Sequence, residues 1–112
     1  METGKAPTLL DLCIKTAIDN RKHLGNVGDV STEFLEQILS HCSKEELVHI
    51  EKSTKGRDLS PVTDKFWKRI FKEEFGRRAT DDVIEKMKQR KVSYKWSKLY
   101  QAKLKSVEED ER

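Results

Sequence analysis

The sequence predicts an all-α fold, and three observations support this. Charged residues make up 38% of the 112 positions and hydrophobic residues 35%, a balance typical of a small core covered by helices with long solvated faces. Only five Gly and two Pro interrupt the chain. Apolar residues recur at helical spacing instead of alternating as they do in strands. A chain of this length is expected to form one domain of moderate size.

The composition also excludes several classes of protein. No apolar run approaches the roughly 18 residues that span a bilayer, and the N-terminus lacks the charged-then-apolar order of a secretory signal. We therefore expect an intracellular protein. Cys13 and Cys42 are too few for a disulfide framework, so we expect two free thiols.

The first helix is predicted to begin at Thr8, after a flexible leader at residues 1–6. The Thr8 side chain can cap the helix while Asp11, three residues later, reaches back in a capping box. We expect the helix to end near Asn20 or Leu24, before a glycine-containing connection.

The apolar arc of this first helix is unusually wide. It covers about 240° of the helical wheel, whereas roughly 100° is enough to face one core. Either its own chain wraps the helix, or one face lies on its core and the other is left for a partner; a terminal helix is difficult to surround, which favours the partner. In angular order the arc contains Leu12, Leu9, Cys13, Ala17, Leu10, Ile14 and Ile18.

A helix hairpin is predicted next. Ser31 can cap its first helix, and Ser43 with Glu46 forms a second capping box that opens the other. Apolar residues follow one face of the first helix and recur in the second. These positions are Phe34, Leu35, Ile38, Leu39, Cys42, Leu47, Val48 and Ile50.

An aromatic-rich helix comes after the polar loop 53–59. Ser60 and Pro61 supply a cap and a proline at the first helical position, and Gly76 ends the helix. Because buried aromatic rings contribute large apolar areas, we expect this helix at the centre of the core. Its apolar positions are Val62, Phe66, Trp67, Ile70, Phe71 and Phe75.

A basic helical extension is predicted over residues 77–107, before a disordered tail at 108–112. Thr80 can cap the first of its two helical stretches. The charge is uneven along the chain: residues 1–64 hold 8 Lys/Arg and 11 Asp/Glu, whereas residues 65–112 hold 15 and 9.

Positive charge is densest between Lys86 and Lys105, with eight Lys/Arg and no Asp/Glu. The favoured interpretation is a solvated basic face whose large apolar side chains pack on the domain. Alternatives are nucleic-acid contact through phosphates and stacked bases, a nuclear import signal, or an acidic protein partner. The basic residues singled out are Lys86, Lys88, Arg90 and Lys91, and the interleaved large side chains are Tyr94, Trp96, Leu99 and Tyr100.

The residue types needed for catalysis or metal binding are not arranged in a recognisable pattern. The three histidines, His23, His41 and His49, have no second Cys pair with which to complete four zinc ligands. No phosphate-binding glycine loop or Ser/His/Asp order occurs. Cys13 lies in an apolar line and not in the electropositive setting of a nucleophile. We expect no enzyme, metal or cofactor.

The first helix resembles the BC box, with which substrate receptors of cullin ubiquitin ligases bind elongin C. The matching pattern is Thr8-Leu9-x-x-x-Cys13-x-x-x-Ala17, whose apolar members form one line at i, i+4 and i+8. The resemblance implies that Leu9 is the anchor, that Cys13 packs as a small hydrophobe and that Thr8 starts the helix. The box usually ends in a bulkier aliphatic residue, so either Ala17 or Ile18 completes the contact. The implied elongin C contacts are Thr8, Leu9, Leu12, Cys13, Ala17 and Ile18.

The stretch after the box, residues 30–76, is similar to an F-box-like arrangement. This ordered pair resembles the elongin A family over about residues 7–76, with looser similarity beyond. The resemblance implies a nuclear, non-catalytic adaptor that binds elongin C, with elongin B, and acts in RNA polymerase II elongation or as a receptor on a cullin scaffold. The implied core of the F-box-like part is Phe34, Leu35, Ile38, Leu39, Leu47, Phe66, Trp67, Ile70 and Phe71.

Two further expectations accompany this resemblance, and two alternatives to it remain open. Animal members carry a long region before the BC box, whereas this sequence begins at the box, which favours a compact member or a fragment that keeps the adaptor role better than elongation activity. Without elongin C we expect partial disorder, because apolar area on the first helix is unpaired. The alternatives are a nucleic-acid-binding module using residues 86–105, and an F-box-like adaptor for a different scaffold protein.

Overall fold

The computed structural model describes residues 8–110, and within them the fold is all-α, as predicted. The leader at 1–6 and the last two residues of the tail lie outside the described range. None of the described helices is long and apolar enough to cross a membrane. The helices are α1 (Leu9–Asp19), α2 (Thr32–Leu39), α3 (Lys44–Ser53), α4 (Ser60–Phe75), α5 (Arg77–Arg90) and α6 (Trp96–Asp110), with a 3-10 turn at Arg21–His23.

The chain divides into two compact units, which differs from the single domain expected from its length. The first unit ends at Leu59 and the second begins at Ser60. The aromatic helix α4 therefore belongs to the same unit as α5 and α6, and the division falls inside the F-box-like range 30–76.

Local hydrogen bonds start two helices of the first unit, as predicted. In α1 the Asp11 N–H donates to Thr8 Oγ1 at 3.0 Å, and the Thr8 N–H donates to Asp11 Oδ2 at 3.1 Å. Ser43 and Glu46 make the same reciprocal pair for α3, at 3.2 and 2.9 Å. Ser31 stands at the cap position of α2, but its side chain makes no capping hydrogen bond.

Longer-range bonds hold the connection between α1 and α2. The buried Thr54 hydroxyl accepts a hydrogen bond from the Val27 N–H at 3.0 Å. The Arg57 guanidinium donates to the carbonyls of Gly28, at 3.3 Å, and of Val30. These bonds fix where α2 begins, and α1 packs against that helix.

In the second unit, α4 packs on both α5 and α6. The ring of Trp96 meets that of Phe71 edge-on at 5.3 Å between centroids, and Tyr100 lies 5.4 Å from Trp67. The Tyr100 hydroxyl donates to Glu74 Oε2 at 2.6 Å. The predicted basic extension is thus an integral part of this unit's core.

Three local expectations for helices α2, α5 and α6 were wrong. Thr80 does not cap α5, because Gly76, with φ of 95°, turns the chain and the helix begins at Arg77; the Thr80 hydroxyl instead donates to the Gly76 carbonyl at 2.9 Å. Residues 108–110, expected to be disordered, continue α6. Phe34 is only half-buried. The other predicted core positions of the F-box-like part are buried, namely Leu35, Ile38, Leu39, Leu47, Phe66, Trp67, Ile70 and Phe71.

Candidate partner-docking helix

Helix α1 carries an unusual amount of exposed apolar surface. It contains no buried residue. Leu9 is 79% exposed, Leu12 49% and Leu10 43%. Contiguous large aliphatic side chains in water are a mark of an interaction surface.

The helix has two distinct faces. Ile14 and Ile18 lie about 140° and 180° around the helix axis from Leu9, and both are half-buried. Leu12 lies about 60° to one side of Leu9 and Cys13 about 40° to the other side. Both side chains are exposed. The isoleucine face is the one covered by the chain itself, and the leucine and cysteine face is left to solvent.

The structure separates the two residues, Ala17 and Ile18, that the BC-box resemblance offered as the end of the predicted contact. Ala17 lies about 80° from Leu9 and is half-buried, so it borders the solvent face. Ile18 is half-buried on the opposite side of the helix. Leu10 was missing from the predicted contacts although it is exposed; its position inside the apolar arc was the signal that could have included it.

The C-terminal end of α1 is attached to the rest of its unit through Arg21. The Arg21 guanidinium donates to the Ile18 carbonyl at 2.9 Å and lies 3.3 Å from Glu46 Oε1 at the start of α3. The exposed leucine and cysteine face is therefore carried by a helix that is capped at one end and attached at the other.

One comparison with known proteins gives a match. The family model for Elongin A of the RNA polymerase II transcription factor SIII (Elongin) matches residues 24–112. The chain belongs to the elongin A family. No curated protein and no solved structure matches it significantly.

Elongin A family membership rests on helices α2 to α6. The match begins after α1, so it does not include the helix that resembles the BC box, and it runs through the basic stretch to the end of the chain. The family consists of subunits of an RNA polymerase II transcription factor. It implies membership of the elongin complex and suggests a nuclear protein.

The two cysteines of this elongin A family member differ in setting. Both are free thiols, as expected. Cys13 is exposed on the solvent face of α1. Cys42 is buried, and its burial, reinforced by the nearby Glu46 carboxylate and opposed by Arg21, raises its pKa from 9.0 to about 11. Among the described residues no group of three His, Cys, Asp or Glu could hold a metal ion.

The basic stretch of this family member does not present its aromatic rings together. Trp96 and Tyr100 are buried, and of the three rings in the stretch only Tyr94, at 57%, is exposed. The side chains of the four singled-out basic residues, Lys86, Lys88, Arg90 and Lys91, are all exposed. A surface on which several bases stack in succession is therefore not formed.

Proposed function

We propose that this elongin A family member is a non-catalytic adaptor that binds elongin C through α1. It would act within the elongin complex, with RNA polymerase II as target, or as the substrate receptor of a cullin-RING ubiquitin ligase. The observation that carries the proposal is the solvent face of α1, where exposed leucines and Cys13 follow a capped helix start. Family membership supports it, since it implies the elongin complex.

Each side chain on the solvent face has a distinct role in this proposal. Leu9, the most exposed of the leucines, is the anchor that enters a pocket on elongin C, and Leu12 contributes apolar area beside it. Cys13 supplies a small contact where the two surfaces approach closely. Ala17, at the border of the face, completes the line, whereas Ile18 contributes to the chain's own packing.

The other partners follow from this contact. Elongin B would join through elongin C, and a cullin scaffold directly or through elongin C. We place the protein in the nucleus, with the exposed cations at 86–91 as its import signal.

The test is a titration with the elongin B–elongin C complex, read by the rate of thiol labelling at Cys13. At a partner concentration about 100 times Kd, only about 1% of the chain is free, so Cys13 labelling should slow about 100-fold. Cys42 is the internal control, because its buried, protonated thiol is slow to react with or without the partner.

The outcome that contradicts the proposal is an unchanged Cys13 rate at saturating elongin C. A parallel titration with the scaffold protein that binds F-box proteins distinguishes the remaining adaptor interpretation: protection of Cys13 by that protein, and not by elongin C, would assign a different ligase.

A further inference from the structure

A small apolar groove lies in the second unit, well separated along the sequence from α1. Its volume is about 170 Å³. An engineered cavity of about 150 Å³ accepts a benzene-sized group, so this groove fits one aromatic or branched aliphatic side chain. It is lined by Val83, Lys86, Met87, Arg90, Val92, Tyr94 and Leu99.

Exposed large hydrophobic side chains of the described residues occur in two places, and this groove is one of them. Three of these side chains are the leucines of α1. The other two are Val92, 41% exposed, and Tyr94, 57% exposed. Both line the groove, and exposed apolar side chains grouped around a depression indicate a binding site.

The end of α5 sets the shape of the groove. Lys91 adopts the left-handed conformation, with φ of 55°, and its N–H donates to the Lys88 carbonyl at 3.2 Å. The Val92 N–H donates to the Met87 carbonyl at 3.1 Å. Together the two bonds form a Schellman motif. In this motif the residue after the left-handed position makes an apolar contact with the helical residue whose carbonyl it bonds. Val92 and Met87 are thus held side by side in the groove wall.

The rim of the groove is positively charged. Lys86 and Arg90, one helical turn apart on α5, are exposed and line the groove. No Asp or Glu occurs between residues 86 and 105. The residues that line the groove include no Asp or Glu, so carboxylates beside the apolar anchor of a partner would complement its charge.

We infer that this groove binds an acidic linear peptide in which carboxylate residues flank one large apolar side chain. The anchor occupies the groove between Met87 and Tyr94. The flanking carboxylates pair with Lys86 and Arg90. A protein segment is favoured over nucleic acid because the groove accepts one apolar group, while the other rings of the basic stretch are buried. The inference does not depend on elongin C binding.

The experiment is fluorescence polarisation with the full chain and a labelled peptide of Asp and Glu around a single Phe. Two matched peptides replace the Phe by Ala, or the carboxylates by the corresponding amides. We expect each replacement to weaken binding at least tenfold. Equal binding of the Phe and Ala peptides would overturn the inference.

The matched protein variants are two charge-reversal pairs. Lys86→Glu with Arg90→Glu alters the rim, whereas Lys103→Glu with Lys105→Glu makes the same change of charge at exposed positions of α6 that do not line the groove. The rim pair should lose at least tenfold in affinity and the control pair less than threefold. Equal losses would show general charge attraction and refute the site.

Three further outcomes complete the test. Tyr94→Ala, a change at a side chain that is 57% exposed, should also weaken peptide binding, whereas Leu9→Ala should not. Tighter, groove-dependent binding of single-stranded DNA of equal charge would assign the surface to nucleic acid and overturn the inference. So would concentration-dependent self-association abolished by the rim pair, because the occupant would then be a second copy of the chain.

Discussion

Replacement of Leu9 by Ala should weaken elongin C binding by about 25-fold. Full burial of a leucine side chain is worth about 1.5–3 kcal/mol. Leu9 is 79% exposed in the free chain, so nearly all of this burial remains for a partner to provide. Allowing for the methyl group that Ala retains, the loss is about 2 kcal/mol, and each 1.4 kcal/mol is tenfold in Kd.

The assay is calorimetric titration of the elongin B–elongin C complex with wild type and variants. The matched control is Lys15→Ala, on the same helix but about 120° from Leu9. Lys15 forms an ion pair with Asp19 at 2.9 Å, and the two side chains are 72% and 58% exposed. Ion pairs this exposed contribute little to stability. Lys15→Ala should therefore leave Kd within about twofold.

A second contrast comes from the opposite face of α1. Ile18→Ala should lower the melting temperature while changing Kd little, because Ile18 packs on its own unit. Leu9→Ala should weaken binding while leaving the melting temperature nearly unchanged. Equal affinities of wild type and Leu9→Ala, or equal losses in Leu9→Ala and Lys15→Ala, would refute the assignment of the docking face.

Three other predictions concern stability. Asp64→Ala removes the carboxylate that accepts a hydrogen bond from the backbone N–H of Trp96 at 2.7 Å; it should lower the free energy of unfolding by about 1 kcal/mol in urea, and Asp64→Asn by less. Tyr100→Phe keeps the ring contacts but loses the bond to Glu74, so it should cost about 1 kcal/mol, and less in a Glu74→Gln background, where the acceptor carries no charge. The raised pKa of Cys42 means that the folded state keeps its thiol protonated. The buried, protonated thiol therefore contributes its full stabilisation below pH 9, and this contribution is lost as the pH rises to about 11. Over that range the free energy of unfolding should fall by about 1–2 kcal/mol more in the wild type than in Cys42→Ala.

Features set by neighbouring residues could be predicted from the sequence. The capping boxes at Thr8 and Ser43 each join residues three positions apart, so their sequence pattern contains the whole interaction. The aromatic stripe of α4 is similarly complete within one helix, because the 3.6-residue period places its members on one side. Thr80 shows the limit of such patterns, since a glycine turn four residues earlier had already started the helix.

The candidate site was predicted only in part, because a pattern of neighbouring residues does not show how a helix packs on the rest of the chain. The width of the apolar arc on α1 indicated that two surfaces share the helix, and the ordered motifs indicated the family. Which residues face water depended on how α1 packs in its unit, where it contacts α2: Ile14 and Ile18 are half-buried, whereas Leu9, Leu12 and Cys13 are exposed. The helical wheel places all five residues in one apolar arc and does not show which of them are buried.

By itself the sequence determined the helices, most of their starts, and a first helix with more apolar surface than one core requires. Only the tertiary structure decided that Trp96 and Tyr100 are buried against α4 while Val92 and Tyr94 line an open groove. The physical reason is the distance along the chain. Hydrogen bonds and periodicity within a helix act over three or four residues. The two hydrogen bonds that position α6 each join residues far apart in the sequence, with separations of 26 and 32 positions.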